Sequence, residues 1–380
     1  MTYPLAVLRT DIARRGKLAA LIVSGAIAAA ACGATGSTTK TAAGAGAGSG
    51  GTAASPTSKP SVTKDPASTA SSTTTSTTTS TTTVPAGPTP LPAPSPLSPT
   101  GGGQGANQGV WTPAGRTVNG HVAVYETSLV PPGGTAAAGI AWMDTRLLSA
   151  RLYSGSLSPG GGPYIFTAPV LPAQAASLVA AFNGGFMMPV AHGGYYTEGK
   201  VVDPLVAGAA SLVIYSDGSV DIGAWGSDVT MTPNVVSVRQ NLVPLVANGA
   251  PTSLASTPYW LDWGATCGVD SCVGAGIENQ WRSGLGITSD GALVYVTGPS
   301  LAPLQLAQLL VAAGAVRGMQ LDINPDWTVF VTYDPPAGGL ASPANGSKLV
   351  ASTVQGPATF FNPSWARDFI TMSARPASAG

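Results

Sequence analysis

Asp322 is the residue whose position best suits acid–base chemistry. It lies near the end of an apolar run, GMQLDI, that is typical of a buried strand, so its carboxyl group is expected at the end of that strand. The alternative is an aspartate that serves as a turn or cap residue. Glu198, in the glycine- and tyrosine-rich segment HGGYYTEGK, is the second candidate acid. A carboxyl group held in a cleft can donate or accept a proton during a reaction, which is general acid–base catalysis.

Arg282 is the candidate for binding an anionic group. It stands between Trp281 and a glycine-rich apolar run, SGLGI, in a part of the chain that has few basic residues. A planar guanidinium binds phosphate through two parallel hydrogen bonds. The alternative is an arginine that is paired with a structural carboxylate.

Asn183, Gly184 and Gly185 begin a third notable segment, NGGFM. Adjacent glycines permit backbone conformations that are closed to other residues, and they let a ligand approach the main chain. The alternative is a helix C-cap followed by a strand. Three further side chains are candidate ligand-binding groups, although a lone histidine is more often structural than functional. They are His192, Tyr196 and Asn324.

Taken in order, these segments resemble the phosphodiester glycosidase family. That family shows an Asn-Gly-Gly-Phe-Phe segment, a later Arg-x-x-x-Gly-x-x-x-Asp-Gly segment, and a helix leading to a strand that ends Leu-Asp-Gly-Gly-Gly-Ser. This chain has NGGFM at 183–187, RSGLGITSDG at 282–291 and LQLAQLLVAAGAVRGMQLD at 304–322. The resemblance covers most of residues 110–375. It implies a hydrolase that removes a sugar from a phosphodiester-linked glycoconjugate, with a carbohydrate or glycopolymer substrate and no cofactor.

The chain departs from the family directly after Asp322. The family's Gly-Gly-Gly-Ser is replaced by residues 323–326, Ile-Asn-Pro-Asp. A glycine run lets backbone amides close around a ligand, whereas Pro325 has no amide hydrogen and a fixed φ. The alternative hypothesis is therefore a non-catalytic carbohydrate-binding or envelope-organising protein that keeps the fold.

Short β-type runs joined by turn signals position these segments. Asn-Gly at 119–120 and Asp-Gly at 217–218 and 290–291 each separate two strand-like runs and predict hairpins. Helices are predicted over 172–181, which opens with proline, and over 301–313, which precedes Gly314. The sequence predicts an α+β domain with a largely antiparallel or mixed β-sheet core and two or three helices.

Residues 1–32 have the pattern of a secretory signal, with basic residues followed by an apolar run from Leu18 to Ala31. This run is shorter than the roughly 20 apolar residues that a membrane-spanning helix needs. Cys32 follows three alanines and is a candidate lipidation site, with cleavage at one of the alanines as the alternative. The sequence thus predicts an extracytoplasmic protein, either secreted into the cell envelope or anchored to a membrane through its N-terminus alone.

Residues 33–108 are rich in serine, threonine, proline and glycine and lack aromatic side chains. Such a composition cannot bury enough apolar surface to offset the entropy of ordering, so this segment is predicted to be a disordered linker. The folded domain is expected at 109–376. Within it, Cys267 and Cys272 are predicted to form a disulfide in an oxidising compartment.

The distribution of charge argues against nucleic acid as a partner. The net charge is zero, with seven basic and two acidic residues before residue 108, which leaves ten basic and fifteen acidic residues after it. The predicted domain is therefore mildly acidic and has no basic cluster. The two histidines and the two domain cysteines are far apart in sequence, so no metal site is predicted.

Overall fold

The computed structural model describes residues 89–99, 107–256, 263 and 280–377. The predicted signal sequence, most of the predicted linker, the lipidation site Cys32 and the predicted disulfide between Cys267 and Cys272 lie outside these residues. Within the described part of the chain, no helix is both long enough and apolar enough to cross a bilayer.

Strands dominate the described residues. In chain order they are β1 (Thr112–Ala114), β2 (Val124–Leu129), β3 (Ala138–Met143), β4 (Leu148–Tyr153), β5 (Leu178–Asn183), β6 (Tyr195–Thr197), β7 (Lys200–Asp203), β8 (Ala210–Tyr215), β9 (Val220–Ala224), β10 (Val235–Gln240), β11 (Pro244–Ala247), β12 (Ala250–Pro251), β13 (Gln280–Thr288), β14 (Leu293–Leu301), β15 (Ala315–Ile323), β16 (Phe330–Tyr333), β17 (Gly346–Lys348) and β18 (Phe369–Ala374). The helices are α1 (Pro172–Ala175), α2 (Met188–Ala191) and α3 (Pro303–Ala312).

The strands form three antiparallel sheets. Sheet A has the order β1-β2-β3-β14-β13-β15-β11-β12, sheet B has β7-β6-β10-β8-β9, and sheet C has β17-β16-β5-β18-β4. The long strands β13, β14 and β15 are adjacent in sheet A, and α3 packs its buried Leu306, Leu309 and Leu310 into the same core. This arrangement confirms the predicted α+β class with a largely antiparallel core.

Two of the three predicted hairpins are complete. The Asp-Gly turns at 217–218 and 290–291 join β8 to β9 and β13 to β14 in antiparallel register. At 119–120 the turn itself forms, with φ of 51° and 82°, but only the single bridge between Val118 and His121 flanks it. That stretch is therefore a tight turn rather than a hairpin of two strands.

The predicted helix over 301–313 is confirmed as α3, which begins at Pro303 and is followed by Gly314 at a φ of 94°. The predicted helix over 172–181 is wrong beyond Ala175. Residues 178–183 instead form β5, which lies between β16 and β18 and is buried along its whole length. A short apolar run has the same appearance in a buried helix and a buried strand, and pairing on both edges decides for the strand.

Part of the predicted linker belongs to the folded domain. Residues 89–99, hereafter the proline-rich strap, lie against the domain, and Leu91 is only 6% exposed within the main core. The amide of Leu91 donates a hydrogen bond to the Asp144 carboxylate (2.8 Å), and the indole N–H of Trp111 donates to the Ser95 carbonyl (2.8 Å). The domain therefore begins at or before residue 89 rather than at 109.

We expect Leu91→Ala to lower the free energy of unfolding by about 2–3 kcal/mol, because it empties a buried site that the domain cannot readily refill. Chemical denaturation of the purified protein measures this loss. Leu157→Ala serves as the matched control, since Leu157 is 67% exposed and should contribute less than about 0.5 kcal/mol. Equal effects of the two substitutions would show that the strap does not contribute to the core.

Candidate functional site

A buried ion pair lies at the centre of the candidate site. Arg239, in β10, donates from Nε to Asp368 Oδ2 (2.8 Å) and from Nη2 to Asp368 Oδ1 (3.2 Å). Its remaining donors bind the carbonyl oxygens of Phe186 and Gln240. Burial by itself would lower the pKa of Arg239, but the charge and hydrogen bonds of Asp368, together with the nearby Tyr195 and Asp322, outweigh that effect and the pKa is raised. This pair joins β10 of sheet B to the residue that directly precedes β18 of sheet C.

Gly184 and Gly185 pack directly against this ion pair. A Cβ atom on Gly184 would lie 2.1 Å from Asp368 Oδ2, and one on Gly185 would lie 2.5 Å from Asn241 Oδ1. Neither glycine has a positive φ. The sequence interpretation, in which these glycines supply unusual backbone conformations for a ligand, is thus replaced by a steric one: the buried polar groups leave no room for a side chain.

Asp322 lies where β13 and β15 change register. Arg282 pairs with Ile323 and Gly284 with Gln320, so β15 has one extra residue at this point. Such a β-bulge re-aims the side chain beside it. Gln320 faces Arg282, and without the extra residue Asp322 would face the same way. The bulge turns the carboxyl of Asp322 toward the opposite face of the sheet.

The carboxyl group of Asp322 is almost completely removed from water, at 2% exposure. Its Oδ1 accepts a hydrogen bond from the amide of Ile323 (2.8 Å), and its Oδ2 lies 3.5 Å from Nη1 of Arg367. Burial raises the pKa of Asp322 to about 7, although the positive charge of Arg367 opposes the rise. The carboxyl can therefore exchange a proton near neutral pH.

The three segments noted in the sequence meet at one hydroxyl group. Ser283 Oγ accepts hydrogen bonds from Asn183 Nδ2 (3.0 Å) and from the amide of Asp322 (3.1 Å). Asn183 comes from NGGFM, Ser283 from RSGLG and Asp322 from the strand GMQLDI. The ends of β5, β13 and β15 are thus fixed relative to one another.

Asn183 has no hydrogen-bonding capacity left for a ligand in this arrangement. Besides the bond to Ser283, its Nδ2 donates to the Gly184 carbonyl, and its Oδ1 accepts from Tyr295 Oη (2.6 Å) and from the amide of Val329 (3.1 Å). An amide side chain offers two donors and two acceptor positions, and all four are used. Asn183 therefore positions the site, and its predicted role as a sugar ligand has no geometric support.

Arg282 does not contact Asp322 through its guanidinium in the described residues. The group is 4% exposed, and it donates to the carbonyls of Leu301 (2.8 Å) and Trp263 (3.1 Å) and to Gln320 Oε1 (2.8 Å). Because neighbouring residues of a strand point to opposite faces, its side chain lies on the other side of the sheet from Ser283. Its role as an anion clamp stays a prediction that this geometry does not favour.

Glu198 anchors a loop. It lies in the turn between β6 and β7, and its two carboxylate oxygens accept hydrogen bonds from the amides of Ile165 (2.9 Å) and Phe166 (2.8 Å). In the described part of the chain it has no hydrogen bond or ion pair with Asp322. The structure does not bring the two predicted acids together as a catalytic pair.

Two of the other predicted sugar ligands lie apart from Asp322, and the third forms a hydrogen bond within its own turn. His192 is exposed at the end of α2, and Tyr196 packs against a separate apolar cluster that includes Val213 and Val238. Asn324 has a φ of 72°, and its Oδ1 accepts the amide of Asp326 (2.7 Å) within the turn after β15.

Sequence reasoning missed Arg239, Arg367 and Asp368. Each is a charged residue next to or within an apolar strand, in a chain in which only 9% of the residues are charged. That contrast is a usable signal, since an ionised side chain is rarely buried unless it is paired. Within the described residues, no cluster of three or more His, Cys, Asp or Glu side chains is arranged to hold a metal ion.

Comparisons with known proteins give only a distant likeness. No family model and no curated protein matches the chain. Among solved structures, the catalytic domain of zebrafish N-acetylglucosamine-1-phosphodiester alpha-N-acetylglucosaminidase is 16% identical with a TM-score of 0.40, over 70% of this chain and 88% of that chain.

Two bacterial structures are more distant still. A hypothetical protein from Synechocystis is 12% identical with a TM-score of 0.37, over 70% of this chain and 64% of that chain. A putative exported protein from Burkholderia pseudomallei is also 12% identical, with a TM-score of 0.32, over 63% of this chain and 74% of that chain. Scores this low assign no function to the chain.

We expect Gly184→Ala to destabilise the domain by about 3 kcal/mol, because the new methyl group would displace the carboxylate of Asp368 from Arg239. Thermal or chemical unfolding measures the loss. Gly356→Ala is the matched control, since its Cβ would meet its nearest neighbour at an ordinary 3.4 Å. Equal stability of the two variants would contradict the steric role of Gly184.

We expect the stability difference between the native protein and Asp322→Asn to depend on pH. The raised pKa of Asp322 means that the folded state holds a proton that the unfolded state releases near pH 4. This contribution to stability is complete below about pH 4 and declines by up to about 1.4 kcal/mol per pH unit until about pH 7. Asp322→Asn should remove the part of the decline that Asp322 contributes, as measured by urea unfolding at several pH values.

Two other carboxyl groups serve as references for that measurement. Burial also raises the pKa of Glu126 to about 7, so some decline should remain in Asp322→Asn and become smaller in the double variant with Glu126→Gln. Asp217→Asn should leave the decline unchanged, because the hydrogen bond from the Ser219 side chain lowers the pKa of Asp217. A native slope that survives Asp322→Asn in full would contradict the assignment.

Proposed function

We propose that this chain is an exported hydrolase that cleaves a sugar from a phosphodiester-linked glycoconjugate, with Asp322 as the acid/base group. The proposal rests on one observation: the side chain of Asn183 and the amide of Asp322 both donate hydrogen bonds to the hydroxyl group of Ser283. Each belongs to a segment that resembles the phosphodiester glycosidase family. These segments are up to about 140 positions apart in the chain, and they meet beside a carboxyl group whose pKa lies near 7.

The two buried aspartates of the candidate site, Asp322 and Asp368, have different environments that suit different roles. Asp368 is fully buried and held by two hydrogen bonds from Arg239. Asp322 faces Arg367 at the longer distance of 3.5 Å and keeps an exchangeable proton near neutral pH. Two carboxyl groups with such different surroundings commonly take different roles in one reaction. We assign proton transfer to Asp322 and the positioning of Arg239 to Asp368.

The proposed reaction needs one base. The ionised Asp322 accepts a proton from a water molecule while the water oxygen forms a bond to the anomeric carbon. The bond between that carbon and the phosphate oxygen breaks, and the phosphate monoester leaves with the electron pair. Its departure needs no proton from the protein, because a phosphate oxygen is a good leaving group.

The loop after Asp322 differs from the family's glycine run in what it offers a ligand. The amide of Asn324 donates to the Trp281 carbonyl and the amide of Asp326 donates to Asn324 Oδ1, so these donors are used inside the protein. Trp327 follows at once and presents an aromatic face to Arg367. A sugar phosphate would therefore be bound by side chains here rather than by a ring of backbone amides.

The proposed location follows from the N-terminal sequence. Residues 1–32 direct export, Cys32 is the proposed lipid attachment site, and the domain that begins at or before residue 89 acts on carbohydrate or glycopolymer of the cell envelope. The membrane is contacted only through the anchor, and nucleic acid is not a partner.

The test is release of free sugar from a panel of sugar phosphodiesters, starting with an N-acetylglucosamine 1-phosphodiester. Hydrolysis should rise with pH as Asp322 ionises through about pH 7, and Asp322→Asn should lower kcat/KM at least ~100-fold. Asp326→Asn is the matched control, since Asp326 is exposed on the same loop, and it should keep most of the activity.

Two results would decide against this function. Full activity in Asp322→Asn would remove the assigned base. If no substrate releases sugar but glycans bind measurably, the chain is the non-catalytic carbohydrate-binding protein that the altered loop suggests.

A further inference from the structure

The guanidinium of Arg367 lies between an aromatic face and the proposed base. Its Cζ atom is 4.4 Å from the centre of the Trp327 ring, and its Nη1 is 3.5 Å from Asp322 Oδ2. Stacking on an indole leaves the edge of a guanidinium, which holds all of its N–H groups, open to a partner in the same plane. The side chain is 12% exposed, so it is mostly shielded from water yet still reaches the surface.

Arg367 has unused hydrogen-bonding capacity. Its Nη1 is buried and makes no hydrogen bond to any described residue. By contrast, Arg239 donates to Asp368 and two carbonyls, and Arg282 donates to two carbonyls and a glutamine side chain. Of these three buried or nearly buried arginines, Arg367 is the one with a buried donor nitrogen that makes no hydrogen bond to a described residue. A buried donor without a partner costs about 1–3 kcal/mol, so its retention needs an explanation.

Two further polar groups belong to residues that contact the neighbours of Arg367, and they share this property. Trp365 Nε1 and Ser158 Oγ are also buried without a hydrogen-bond partner among the described residues. The Trp365 ring lies 5.6 Å from that of Trp327, and the amide of Ser158 donates to the carbonyl of Ala366, which directly precedes Arg367. Three of the six such atoms in the described residues therefore come from one small region.

The chemistry of these three groups selects the ligand. Arginine and indole N–H groups only donate hydrogen bonds, and a hydroxyl can donate as well. A partner that satisfies all three must supply acceptor oxygens, and the positive charge of Arg367 favours an anion. Phosphate-type oxyanions have several acceptor oxygens on one atom, which fits a group of donors of this kind.

We infer that Arg367, supported by Trp327 and accompanied by Trp365 and Ser158, binds the phosphate group of the ligand. These four residues are the Arg367 site. The inference rests on the proposed function for the identity of the ligand, and it assigns to Arg367 the role that the sequence predicted for Arg282. It places the phosphate next to Asp322, so the same guanidinium holds the leaving group and faces the base.

The test compares binding of N-acetylglucosamine 1-phosphate with binding of N-acetylglucosamine by isothermal titration calorimetry. Arg367→Gln should weaken binding of the sugar phosphate by about 10- to 100-fold, and binding of the neutral sugar by less than about twofold. Trp365→Phe keeps the ring but removes its N–H, and it should weaken binding of the sugar phosphate by about three- to tenfold.

Arg151→Gln is the matched control. The Arg151 guanidinium is also stacked on an aromatic ring, 4.0 Å from the centre of Phe166, but it forms no ion pair with Asp322. Its loss should leave both affinities unchanged. Arg367→Lys, which keeps the charge and loses the planar fork, should give an intermediate affinity and serves if Arg367→Gln does not fold.

The outcomes separate this inference from the hydrolase proposal. Binding of the sugar phosphate that depends on Arg367, without turnover, supports the site and contradicts the hydrolase. Turnover with unchanged phosphate affinity in Arg367→Gln contradicts the site and leaves the hydrolase standing. Equal weakening of both ligands by Arg367→Gln would show a general contribution to the cleft and would also overturn the inference.

Discussion

The ion pair between Arg239 and Asp368 is the interaction on which the rest of the site depends. Both side chains are removed from water, and desolvation of two charges is costly unless each is fully hydrogen-bonded. Here the guanidinium meets both carboxylate oxygens and two backbone carbonyls, so little of its capacity is left unused. The pair connects a strand of sheet B with the residue that directly precedes β18. The positions of Gly184, Gly185 and Asn241 follow from its presence.

A second constraint sets the direction of Asp322. The extra residue in β15 lets Asn241 donate to two successive carbonyls, those of Gln320 (3.0 Å) and Leu321 (2.8 Å), and it brings the amide of Asp322 to Ser283. Without this local break in the ladder, the carboxyl would join Gln320 on the face that holds Arg282. A feature of one residue thus decides which side of the sheet carries the proposed chemistry.

Sequence patterns predicted the features that depend on neighbouring residues. The Asp-Gly turns, helix α3 with its terminal glycine, and the strand that ends near Asp322 all follow from local backbone preferences. The strand β5 was mistaken for a helix because its apolar run has no alternation, and its identity is set by pairing with β16 and β18. The composition of the proline-rich strap predicts a linker, because proline and serine predominate in it. Its two leucines, Leu91 and Leu97, nevertheless pack against the core.

Local sequence patterns cannot identify which residues of the site contact each other. Arg239 and Asp368 are 129 positions apart, and nothing local to either residue identifies the other. The same holds for Asp322 and Arg367, which meet only after sheets A and C have packed. Sequence reasoning therefore located the carboxyl group but chose Arg282 as the accompanying cation.

The close approach of Gly184 to Asp368 also limits how this sequence can change with time. A side chain at 184 cannot be accepted while the carboxylate remains, and loss of the carboxylate first would leave the charge of Arg239 buried without its counterion. Either single step passes through a less stable intermediate, so positions 184, 239 and 368 can be exchanged only together or after a stabilising change elsewhere. The three residues form an epistatic unit, and their joint history in related sequences should be visible as correlated substitution rather than independent drift.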